Sequence, residues 1–205
     1  MTSKDYVQRL DWSSAIAAAT LELDPNTKVT NILGQVNQTG TAQQSRKNNN
    51  DVESYLYRGI ARCFIPDKEG KHKEAIDDLS KAIVHYADNQ SVNNQGANIN
   101  KMYYYRAYAY YLDGDYERAI ADCINIDPNN PNNPNNLKNL EYLKYPCSYR
   151  DELLGKIYFA MDKYDEAVNK FAAVIASCFT QNPPIPFPPC LLDSYREACK
   201  RMNSV

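Results

Sequence analysis

The chain has 205 residues, with 23 Lys+Arg against 25 Asp+Glu and a formal net charge of −2, enough length to bury a real core as one domain or a short repeat array. That balance provides no broad field toward nucleic acid or an anionic membrane, and no apolar run approaches the roughly 20 residues a bilayer span needs. The N-terminal Met1-Thr2-Ser3-Lys4-Asp5-Tyr6 lacks an apolar h-region, and Asp5 speaks against a transit peptide, so a cytoplasmic location is expected.

In chain order, residues 1–26 hold one clear helical pattern, Trp12 to Leu23, opened by Asp11-Trp12-Ser13-Ser14-Ala15-Ile16 and stopped at Asp24-Pro25-Asn26. Residues 27–50, ending in Asn48-Asn49-Asn50, are polar and read as a linker or insertion. Residues 51–87 carry two helical patterns. The first contains Tyr55-x-x-x-Gly59. The second opens at Gly70-Lys71-His72-Lys73-Glu74-Ala75-Ile76 and places Ala75, Leu79, Ala82 and Ile83 on one face. Pro66-Asp67-Lys68-Glu69 reads as an insertion between them, and 88–100 as a second polar linker.

Residues 101–131 repeat the arrangement with Tyr103-x-x-x-Ala107 and then Gly114-Asp115-Tyr116-Glu117-Arg118-Ala119-Ile120, the second helix cut short by Asp127-Pro128-Asn129. An Asn-rich loop with a short helix, Leu137 to Tyr145, fills 132–146. Residues 147–180 carry Asp151-x-x-x-Gly155 and Asp162-Lys163-Tyr164-Asp165-Glu166-Ala167-Val168, with Ala167, Phe171 and Val174 on one face. The run Pro183-Pro184-Ile185-Pro186-Phe187-Pro188-Pro189 within 181–189 is a stiff spacer that favours polyproline II and could serve as a ligand for an aromatic-lined module. In 190–205 a last helix places Leu191, Leu192, Tyr195 and Ala198 inward and leaves Arg196, Lys200 and Arg201 in water.

The recurring unit is therefore helix, tight turn, helix. It resembles the tetratricopeptide repeat, whose pattern has Leu-Gly-x-x-Tyr on the first helix and Ala-x-x-x-Phe on the second. The fourth unit matches best, with Leu154-Gly155-x-x-Tyr158, Tyr164 and Ala167-x-x-x-Phe171. The third has Ala107-x-x-Tyr110, Gly114, Tyr116 and Ala119; the second has Gly59, Gly70, Ala75, Leu79 and Ala82; the first keeps mainly its second helix. A Gly or Ala on the first helix lets the second approach closely, and aromatic rings fill the wedge between units. The resemblance implies an all-α fold: a right-handed superhelical stack of helix-turn-helix repeats closed by a C-terminal capping helix.

It also implies a concave groove lined by the first helices. Carried over position by position, that groove takes Leu56, Ile60 and Phe64 from the second unit, Lys101, Tyr104, Tyr108 and Tyr111 from the third, and Glu152, Lys156 and Phe159 from the fourth. Tyrosine offers large contact area at low entropy cost plus a hydroxyl. Tyr103, Tyr110 and Tyr116 are assigned instead to packing between units. The family's carboxylate clamp for chaperone tails is not supported, because its places hold Leu56, Ile60, Tyr104 and Tyr105. The expected function is a non-catalytic scaffold that binds a protein or peptide with apolar or aromatic anchors, as an adaptor or as a subunit of a larger complex. The alternative is an RNA-binding or enzyme-associated regulatory module, which a basic concave face would favour.

Candidate chemistry is sparse. The two histidines are His72, in the turn aromatic's place, and His85, late on a helix; Cys63 is the thiol that a Cys–His pair would use. The six cysteines, Cys63, Cys123, Cys147, Cys178, Cys190 and Cys199, contain no C-x-x-C pair, so reduced, buried thiols are expected rather than a zinc site or disulfide framework. Asp113-Gly114-Asp115 lacks the ligand ladder of a calcium loop. No glycine-rich phosphate loop occurs. No catalysis, cofactor or metal is expected.

Overall fold

The computed structural model of the chain describes residues 2–9, 11–23, 40–65, 71–88, 99–126, 149–180 and 189–204. These are helical throughout apart from short turns, with no strand among them. The helices are α1 Ser3–Gln8, α2 Trp12–Leu23, α3 Gly40–Phe64, α4 Lys71–Asp88, α5 Ile99–Asp113, α6 Tyr116–Asn125, α7 Tyr149–Ala160, α8 Tyr164–Thr180 and α9 Pro189–Met202. They fall into two compact units, Met1–Gly114 and Asp115–Val205. The stops at Asp24-Pro25-Asn26 and Asp127-Pro128-Asn129, the insertion 66–69, the short helix expected over 137–145 and the proline run up to Pro188 lie outside the described residues.

In the first unit α3 is the central element. It packs against α1, α2, α4 and α5, while α4 also packs against α5. The apolar periods read from the sequence supply the contact faces. Val52, Leu56, Ile60 and Cys63 of α3, Ala75, Leu79 and Ala82 of α4, and Met102, Tyr105 and Ala109 of α5 are all buried. Gly59 permits the close pairing of α3 with α4, because a Cβ there would lie 2.6 Å from Leu79 Cγ and 3.3 Å from the Ala75 carbonyl oxygen.

Two features depart from expectation. The first pair has a short leading helix, α1, which packs against α2 and α3. It starts with a reciprocal cap, in which the Thr2 N–H donates to Asp5 Oδ2 (2.7 Å) and the Asp5 N–H donates to Thr2 Oγ1 (3.3 Å). The stretch 27–50 is not all linker either, since α3 begins at Gly40. Ala42, Gln43, Gln44, Arg46 and Lys47 are good helix formers, and extending a helix already nucleated by a packed half is far easier than starting one.

In the second unit α7 packs against α6 and α8, and α9 packs against α8 and α7. Ala167, Phe171, Val174 and Cys178 of α8 form one core with Leu191 and Ala198 of α9. Of the inner stripe expected for the last helix, Leu191 and Ala198 lie in this core and Tyr195 packs against it, while Leu192 is only half-buried and Arg196, Lys200 and Arg201 are exposed. α6 spans 10 residues against 17 for α8, in line with an early stop. The turns that precede α6 and α8 use left-handed backbone, at Gly114 (φ 82°) and at Asp162 (φ 58°). Asp162 tolerates it with local help: its Oδ1 accepts from the Tyr164 hydroxyl at 2.5 Å.

Candidate functional site

Helix α5 carries tyrosine all round, and its neighbours sort those tyrosines into faces. Tyr105 is buried to 1% exposure and Tyr104, Tyr108 and Tyr111 are half-buried. The last three recur at helical spacing and so share one face of α5 with Lys101. Phe64, at the end of α3, joins them: its ring centroid lies 5.8 Å from that of Tyr108 and 6.3 Å from that of Tyr105. Tyr108 lies 6.3 Å from Tyr111, and Tyr104 meets Tyr105 edge-on at 5.2 Å. The result is a partly exposed aromatic strip, Phe64–Tyr104–Tyr108–Tyr111, anchored on buried Tyr105. Lys101 Nζ sits 4.8 Å from the ring centroid of Tyr57, a buried residue of α3.

Tyr103 and Tyr110 belong to another face of α5. The Arg106 guanidinium lies 5.6 Å and 6.0 Å from their ring centroids and donates to Ser80 Oγ of α4 at 3.1 Å.

The other expected groove residues are placed differently. Leu56 and Ile60 are 1% and 0% exposed, which corrects their assignment to an open surface. α3 is packed by four helices rather than by a pair, so the face carrying Leu56 and Ile60 is covered. Lys156 and Phe159 lie in the second unit. Lys156 Nζ pairs with Glu152 at 2.6 Å; Phe159 packs on the α8–α9 core and meets Tyr164 edge-on at 5.5 Å.

Sequence reasoning missed an ion cluster between α3 and α4. Asp78 is 0% exposed and accepts two bonds from Arg58, Nε to Oδ2 at 2.8 Å and Nη2 to Oδ1 at 2.6 Å. Arg62 also donates to Asp78 and pairs with Glu74 at 2.7 Å. The Asp78 hydrogen bond raises the Arg58 pKa above its ordinary value, against the opposing effect of burial. Tyr55 lies against this cluster, stacked on His85 at 5.5 Å with the Arg58 guanidinium 5.5 Å from its own centroid. The available signal was Arg58-x-x-x-Arg62, an i,i+4 cationic pair facing the packed side of α4. Its chemistry is cross-bracing: the carboxylate is fully engaged by cations.

Two of the free thiols, Cys63 and Cys123, are buried, whereas Cys190 is exposed and Cys199 half-buried. Cys63 Sγ lies 3.9 Å from the Tyr105 carbonyl oxygen, and burial drives its pKa far above the ordinary thiol value. Cys123 is pushed up to about 12, mainly by burial. A thiolate is disfavoured at both, which makes Cys63 a poor nucleophile. Cys178 is disulfide-bonded, which corrects the expectation of reduced thiols throughout. Native alkylation at mildly alkaline pH is expected to fall on exposed Cys190 and half-buried Cys199, with Cys63 and Cys123 labelled only in denaturant; peptide mass mapping checks this. Because unfolding releases these two thiols to ionise first, stability is expected to fall as pH rises past about 9, by roughly 1.4 kcal/mol per pH unit and thiol. A Cys63→Ala variant should show a shallower alkaline slope in urea titrations.

Among the described residues no group of three or more His, Cys, Asp or Glu could hold a metal ion, and no helix is long and apolar enough to cross a membrane. Comparison with protein-family models, curated proteins and solved structures gave no match. What the residues define is an all-helical protein of packed neighbouring helices with an aromatic strip on its first unit.

Proposed function

We propose that the chain is a non-catalytic, tetratricopeptide-type interaction scaffold whose helix pairs stack in a right-handed superhelix capped by α9, and that it holds a partner polypeptide on the strip Phe64–Tyr104–Tyr108–Tyr111. The observation that carries this is the strip itself: four aromatic side chains from two helices, partly exposed and in ring contact around a buried anchor. Isolated exposed apolar residues are ordinary. A contiguous aromatic set held rigidly by a packed helix is not, and it suits a partner with apolar or aromatic anchors. The repeat reading is supported by the anchor alanines Ala15, Ala75, Ala119 and Ala167, each 0% exposed, and by the close approaches at Gly59 and Gly155.

An affinity pulldown from the native source, wild type against Tyr104→Ala/Tyr108→Ala, tests the reading. Circular dichroism checks that both keep their helicity. The double variant is expected to lose one partner set, with affinity falling by about 2 kcal/mol or more, roughly 30-fold. Retention of every partner by a folded double variant would place binding elsewhere and end this proposal.

A further inference from the structure

We draw no further inference here: the strongest candidate, the half-buried face of α5 that carries Lys101, Tyr104, Tyr108 and Tyr111 beside Phe64 of α3, belongs to the site already described, and nothing in the structure shows what covers it.

Discussion

Arg58→Ala/Arg62→Ala is expected to lower the free energy of unfolding by about 4 kcal/mol at neutral pH. The reason is asymmetric burial. Asp78 is 0% exposed, whereas the Arg58 and Arg62 side chains keep 14% and 17%. Removing the arginines strands a carboxylate that water cannot reach, whereas removing Asp78 leaves cations that water can partly hydrate. Asp78→Ala should therefore cost less than the double arginine variant. Replacing the whole cluster, as Arg58→Met/Arg62→Met/Asp78→Leu, should recover much of the loss, since a buried ion cluster adds little over well-packed apolar side chains. Urea melts of the three proteins decide the matter. An arginine variant as stable as wild type would mean that Asp78 is hydrated, and the cross-brace between α3 and α4 would have to be abandoned.

Gly155→Val is expected to cost about 3 kcal/mol by overpacking. A Cβ at Gly155 would lie 2.5 Å from Phe171 Cε1 and 2.7 Å from Cδ1. Phe171 is 1% exposed and enclosed in the core with Ala167, Val174 and Leu191. The ring has no room to retreat, and the slight helix-propensity gain on replacing Gly is far smaller than the clash. Phe171→Ala alone should cost about 4 kcal/mol as a cavity. In the double variant the valine fills part of that cavity, so the two losses should add to distinctly less than their sum. Simple additivity in the urea-derived values would show that Gly155 and Phe171 do not meet as described.

The features legible in the sequence are those fixed by one helix's own periodicity. Ala75, Leu79 and Ala82 announce a buried face because their spacing leaves only one stripe to bury, and they are buried. Leu191 and Ala198 likewise mark the inner face of α9. Features that depend on how many neighbours surround a helix were not legible. The repeat resemblance places Leu56 and Ile60 on an open groove, yet α3 has α1, α2, α4 and α5 around it. Arg58, Arg62 and Asp78 look like solvated charges until α3 and α4 are brought together. Residues 40–50 look like linker because they have nothing to bury, and they are helical as an extension of a packed helix. On α5 the run Tyr103–Tyr111 has no periodic preference at all. The repeat resemblance alone sets Tyr104, Tyr108 and Tyr111 apart from Tyr103 and Tyr110; in the structure Phe64 meets Tyr108, Lys101 lies over Tyr57, and Arg106, beside Tyr103 and Tyr110, reaches Ser80.

That separation provides the most direct test. With a captured partner purified, calorimetric titration would compare Tyr104→Ala/Tyr108→Ala with Tyr103→Ala/Tyr110→Ala, two pairs on the same helix but on different faces. Docking on the strip requires the first pair to lose roughly 30-fold or more in affinity while the second binds as wild type does. Equal losses from both pairs, or a larger loss from the second, would contradict the strip as the binding surface.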